Sequence, residues 1–172
     1  MSNPITVNIS AQPTYTVEDV RAIIQQIEEG GLPIRITLDP GAHAPTRAHT
    51  ADAGYDLHAN ESLTLIPGAR ALTGTGVHAA IPPGHVGLIC PRSGLAHKKG
   101  ITVLNAPGII DAGYTGEIKV NLHNTVDHTY TINAGDRIAQ LVIVPIADTH
   151  LVQVDSLEVT ERGDNGHGST GQ

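Results

Sequence analysis

The chain has 172 residues, of which 40% are hydrophobic, enough for one domain with its own core. Its net charge of −7 argues against broad nucleic-acid binding, which draws most of its affinity from a basic surface, but not against a phosphorylated small molecule. No apolar run approaches membrane-spanning length, and the N-terminus lacks a basic region followed by a hydrophobic stretch. The single cysteine, Cys90, allows no intrachain disulfide, so the expected compartment is the cytoplasm. Phe and Trp are absent, and the core must be built from Val, Ile, Leu and Ala.

Residues 1–31 read as an extension. Over 17–29, Val20, Ile23, Ile24 and Ile27 fall on one helical face. Thr16 is placed to cap the start, and Gly30 and Gly31 stop the helix. This is the only helix the sequence predicts. It either packs on the body or docks a partner.

From Leu32 the period changes to two, and residues 32–160 read as a β domain. Ile34, Ile36 and Leu38 alternate with Arg35 and Thr37, and Leu63 and Leu65 flank Thr64. Over 117–124, Ile118, Val120 and Leu122 point one way while Lys119, Asn121 and His123 point the other. Residues 138–145 form a nearly continuous apolar run, suited to a buried strand. Turn signals recur between the strands, as at Pro67-Gly68 and Pro82-Pro83-Gly84. Many short strands so spaced predict an all-β sandwich, jelly roll or barrel. Residues 161–172 are glycine-rich with almost no apolar side chain, and read as a flexible tail or a segment that orders over a ligand.

Some patterns mislead. Gly74-Thr75-Gly76-Val77-His78-Ala79 imitates a dinucleotide fingerprint, but Pro82-Pro83 follows where that motif needs a helix. The ten histidines form no His-Glu-x-x-His pattern. Ser93 is not in a Gly-x-Ser-x-Gly elbow.

Five segments remain: Ala53-Gly54-Tyr55-Asp56-Leu57; Pro91-Arg92-Ser93-Gly94-Leu95-Ala96; the run from Asn105 through Gly108, Ile109, Ile110, Asp111, Tyr114 and Gly116 to Glu117; Gly135-Asp136-Arg137-Ile138-Ala139-Gln140-Leu141; and Arg162-Gly163-Asp164 continuing to His167-Gly168-Ser169-Thr170-Gly171. Taken singly, each has a structural explanation, since Asp favours turns and glycines make corners. In this order and spacing the set resembles the trimeric dUTP pyrophosphatase (dUTPase) family, across residues 32–172.

That resemblance implies a jelly-roll-like β subunit in a homotrimer with shared active sites, the tail of one subunit closing over a site built by the others. The implied reaction hydrolyses dUTP to dUMP and pyrophosphate with Mg2+, keeping uracil out of DNA and supplying dUMP for dTMP synthesis. Asp111 matches the water-activating aspartate, and Asp56 the acidic residue near the metal's water shell. Arg92, Ser93 and Gly94 match the phosphate-contacting turn, and Gln140 an α-phosphate contact, with Arg137 beside it as a structural residue. Asn105 and the backbone at Ile109 and Ile110 match the uracil pocket, Tyr114 the ring under the deoxyribose, and Lys119 a further substrate contact. In the tail, Arg162, Gly168, Ser169 and Thr170 match the γ-phosphate clamp. His167 stands where most members carry a phenylalanine, which brings weaker stacking and a titratable ring.

Two rivals are distinguishable. A dCTP deaminase on the same fold needs a glutamate where this chain has Asn121, and usually tryptophan at Tyr114, so no ammonia release from dCTP is expected. A regulatory module acting through the N-terminal helix predicts that deleting 1–31 removes a partner while leaving turnover intact.

Overall fold

A computed structural model describes residues 16–18, 21, 24 and 31–164. Among these the body is mostly β-sheet: β1 (Arg35–Leu38), β2 (Gly54–His58), β3 (Leu63–Leu65), β4 (Arg70–Ala80), β5 (His85–Cys90), a short helix α1 (Ser93–Lys99), β6 (Ile101–Val103), β7 (Gly108–Ile110), β8 (Glu117–Asn124), β9 (Tyr130–Ile132) and β10 (Arg137–Pro145). The helix expected over 17–29 falls mostly outside the described residues; Val17, Glu18, Arg21 and Ile24 of it are described and are helical. Among the described residues, no helix is long and apolar enough to cross a membrane.

Two antiparallel four-stranded sheets, ordered β1-β4-β8-β6 and β2-β10-β5-β7, share one aliphatic core, and β3 and β9 form a small third sheet. The alternation read in β8 places Ile118, Val120 and Leu122 in full burial, beside Leu57, Ile89, Ile138 and Leu141 of the second sheet. Burying each such side chain stabilises by about 1.5–3 kcal/mol, so the core needs no Phe or Trp. β10 lies between β2 and β5; of its nearly unbroken apolar run, Ile138, Ala139 and Leu141 are buried and Val142, Ile143 and Val144 are half-buried. The glycine-rich segment that imitates a nucleotide fingerprint is part of β4, which runs on as strand to Ala80. At Gly76 (φ +63°) β4 bulges against β8, so that Gly74 faces Lys119 but His78 already faces Glu117. Only glycine reaches that backbone without strain.

The helix α1 is absent from the sequence expectations. Its seven residues bury no side chain, so it carries no apolar period to read. Gly100 ends it in the left-handed region (φ 64°), its N–H donating to the Ala96 carbonyl at 3.0 Å.

The second sheet has a core face and an outer face. On the outer face, cross-strand partners form two rows: Asp56, Gln140 and Cys90; then Gly54, Val142, Leu88 and Ile109. The first row is polar, and the second is apolar with Ile109 56% exposed. Beyond β10 the chain leaves the sheet, and Leu151, Val152, Val154, Leu157 and Val159 are exposed.

Candidate active site

Three of the five segments meet in a cleft of about 400 Å³ lined by Asp52, Gly54, Asp56, Cys90, Arg92, Ser93, Gly94, Arg137 and Gln140, among others. The register explains the meeting. β10 pairs with β2 and β5 so that Gln140 lies opposite both Asp56 and Cys90, and β5 leads through Pro91 into α1.

The centre of the cleft is a charge triad. Asp56 Oδ1 accepts from Arg92 Nε at 2.8 Å, and Oδ2 accepts from an Arg137 guanidinium nitrogen at 3.1 Å. The Asp56 side chain is 15% exposed, so its charge is partly withdrawn from water and held by two cations. Gln140 Nε2 donates to the Pro91 carbonyl at 3.1 Å, fixing the approach to α1. Ser93 and Gly94 open the helix, where backbone N–H groups have no intrahelical acceptor and can face an anion. Arg137, expected as a structural neighbour, is both a lining residue and a partner of Asp56.

The third segment lies apart. None of Asn105, Ile109, Ile110, Asp111, Tyr114 and Lys119 lines this cleft. Asn105 precedes a cis Ala106–Pro107 bond, and Ile109 and Ile110 lie in β7 at the sheet edge. Asp111 begins the turn to β8, where its carbonyl accepts from Tyr114 N at 3.1 Å. The Tyr114 hydroxyl donates to the Glu117 carbonyl at 2.8 Å, folding the half-exposed ring against Gly116. Lys119 pairs with Glu117 at 3.3 Å, and Glu117 Oε1 also accepts from Gly76 N at 2.9 Å. Arg162 is among the described residues; His167, Gly168, Ser169 and Thr170 lie outside them.

Several residues of the site escape the sequence reading. Asp52, which accepts from His49 N at 2.9 Å, brings a second carboxylate to the cleft; its only sequence signal is lying four residues before Asp56. Cys90 reaches the cleft through its cross-strand position beside Gln140. His58 lies opposite the cleft residue Arg137 in the β2–β10 register, its ring centroid 5.1 Å from that of His43. Burial, then the adjacent His43, pushes His58 below the ordinary histidine value.

No three His, Cys, Asp or Glu side chains converge as a ligand set among the described residues. The donors do fit a magnesium–nucleotide complex. Mg2+ takes oxygen ligands, keeps several waters and commonly uses one or two carboxylates plus substrate phosphates. Asp52 and Asp56 are such carboxylates, beside cations suited to phosphate.

Residues 41–171 match the dUTPase family model. The deoxyuridine 5'-triphosphate nucleotidohydrolase of Corynebacterium efficiens is 54% identical over 138 residues, covering 80% of this chain and 76% of that protein. The Mycobacterium tuberculosis protein of the same name is 51% identical over 142 residues, covering 79% and 92%. Among solved structures, the Staphylococcus bacteriophage 80alpha dUTPase with dUPNHPP aligns at a TM-score of 0.76 and 36% identity, over 81% of this chain and 99% of that one. A variant dUTPase from phage phi11 of S. aureus, described for its coordination of a structural Mg(II) ion, aligns at 0.69 and 34%, over 74% and 100%.

Proposed function

The chain belongs to the dUTPase family, and from that premise we propose a division of labour among its residues for the family's reaction. The enzyme hydrolyses dUTP to dUMP and pyrophosphate. The observation that carries the residue assignments is the cleft in which Asp56, Arg92, Ser93, Gly94 and Gln140 converge from three separate segments.

Asp111 takes the proton from a water that attacks the α-phosphorus, and pyrophosphate leaves. Arg92 and the N–H groups of Ser93 and Gly94 receive the charge that builds on the phosphates, while Gln140 holds the α-phosphate. Asn105 and the backbone at Ile109 and Ile110 read the uracil edge. Tyr114 stands under the deoxyribose, and its hydroxyl, already donating to Glu117, holds the ring as a wall against a 2′-hydroxyl. Lys119 adds a cation near the substrate. Asp56, with the substrate phosphates, would hold Mg2+, which would supply neutralisation of the phosphate charge.

The active unit is a homotrimer of jelly-roll-like subunits with shared sites. Two observations support it: the Asp111 loop stands outside the Asp56 cleft, and the outer face carries an apolar row in which Ile109 is exposed. The exposed apolar residues at 151–159 give each subunit a further surface to bury on a neighbour. Residues 32–160 are the β domain. The tail, with Arg162, His167, Gly168, Ser169 and Thr170, closes on the γ-phosphate and uracil, and the 1–31 extension stands outside the catalytic unit. The lone cysteine supports a cytoplasmic location.

The test is pyrophosphate release with Mg2+ from dUTP, compared with dTTP, dCTP and UTP. Rapid release from dUTP alone is expected, and equal turnover of UTP would defeat the role given to Tyr114.

A further inference from the structure

We propose that His78 is a positioning residue for this hydrolysis: it ties the loop carrying Asp111 and Tyr114 to Asp39, and does so fully only as the imidazolium. The proposal rests on the reading that this loop contacts substrate.

The geometry starts at the β4 bulge. Gly76, in the left-handed region, turns the strand so that His78 lies opposite Glu117, at the start of β8. The ring then spans two segments. Its Nδ1 is 3.0 Å from the Thr115 carbonyl, and its Nε2 is 3.3 Å from Asp39 Oδ1. Thr115 is the neighbour of Tyr114 in the loop that begins at Asp111. Asp39 follows β1 and is itself fixed, its N–H donating to the Gly76 carbonyl at 2.8 Å. The loop is thus strapped to a rigid anchor through one imidazole.

Both partners are acceptors only. A carbonyl has no proton to give, and an ionised carboxylate has none either. A neutral imidazole carries one N–H and serves one of them; the imidazolium serves both. The charges around the ring favour that form. Asp39 on the β1 side and Glu117 on β8 are both acidic. Lys119 offsets Glu117 at 3.3 Å, and Arg35 of β1 lines the same shallow groove. The Thr115 carbonyl raises His78 most; burial opposes it next, and the Asp39 hydrogen bond and charge, then the Glu117 charge, leave His78 above the ordinary histidine value. The full tie is therefore present at low pH, and one of its two bonds is lost as pH rises through that raised value.

Among the described residues, no other long-range hydrogen bond reaches the Thr115 carbonyl. Other links between β4 and the start of β8, from Gly76 N–H to Glu117 Oε1 and from the Thr75 hydroxyl to the Ile118 carbonyl, lie beyond the loop. Losing one of the two His78 bonds therefore loosens the segment between Asp111 and Glu117 more than the sheet itself.

The experiment measures kcat/KM for dUTP and UTP between about pH 5 and 9, where histidines titrate. It compares the full-length protein with His78→Gln and Asp39→Asn. A decline of about 5- to 10-fold in kcat/KM for dUTP is expected on the alkaline side, the scale of one lost hydrogen bond. His78→Gln, which does not titrate, should lack that inflection and lie low throughout. Asp39→Asn should move it to lower pH, which a purely structural role would not do. In parallel, amide exchange over 111–117, corrected for its intrinsic pH dependence, should quicken with pH in the parent protein and not in His78→Gln. An inflection unchanged in size and position in both variants overturns the proposal, as does pH-independent protection of 111–117 in the parent. If His78→Gln does not fold, Asp39→Asn decides. Full turnover by Asp111→Asn would remove the loop's role in the reaction, and the exchange measurement distinguishes that failure from failure of the tie.

Discussion

Asp56 and Arg92 are joined by a 2.8 Å hydrogen bond from Nε to Oδ1, at a point where the aspartate side chain is only 15% exposed. Arg137 completes the arrangement on the other oxygen. Replacing Asp56 with Asn sets an amide NH2 against one guanidinium and leaves two cations converging. A loss of about 1–3 kcal/mol is expected, the scale of an unsatisfied or charge-assisted bond. It appears as a lower Tm in a thermal melt, together with reduced turnover. An unchanged Tm would mean the triad contributes nothing to the fold.

Asp111→Asn keeps the shape of the turn and removes the base. Turnover should fall by about 10²- to 10⁴-fold, the range of general base catalysis, while dUTP binding measured by calorimetry is retained. Loss of binding in step with turnover would make Asp111 a binding residue instead.

Removing 162–172 tests the tail. The body's core lies within β1 to β10, so the Tm should hold. Turnover should fall by at least about 10²-fold, the scale for losing groups that meet the reacting phosphates. A truncated enzyme at full speed would end the closing role.

His58 makes stability depend on pH. Its Nδ1 is buried with no hydrogen-bond partner among the described residues, and burial followed by His43 holds the ring below the ordinary histidine value. The unfolded chain takes up a proton near pH 6.5 that the folded chain refuses. Stability therefore falls as pH drops from about 6.5 toward the lowered value, and levels off below it. His78 acts in the opposite sense, its contribution being lost as pH rises. Plotting Tm against pH for the parent and His58→Gln should show a shallower acid decline in the variant.

The strands were readable where one face is buried and the other wet. In β8 the alternation alone identifies Ile118, Val120 and Leu122 as core. In β1 the same alternation is present, yet all four residues of the strand are exposed in the single chain, so alternation marks a two-faced strand without showing which face is buried. α1 was illegible because a seven-residue helix lying on the surface needs no apolar stripe. Within the site, Asp56, Arg92 and Gln140 were marked by their segments, whereas Asp52 and Cys90 enter through strand register. The work of His78 depends on the Gly76 bulge, which turns an apparently arbitrary strand histidine toward a loop thirty-seven positions away.

The separation of the Asp111 loop from the Asp56 cleft has a genetic meaning. When one site borrows its parts from different copies, two separately impaired proteins carry complementary halves. Asp56→Asn and Asp111→Asn, unfolded together and refolded as a mixture, should regain a fraction of the activity that neither has alone. The recovery would fade as either partner is diluted out. A mixture no more active than its components would put both aspartates to work within a single chain.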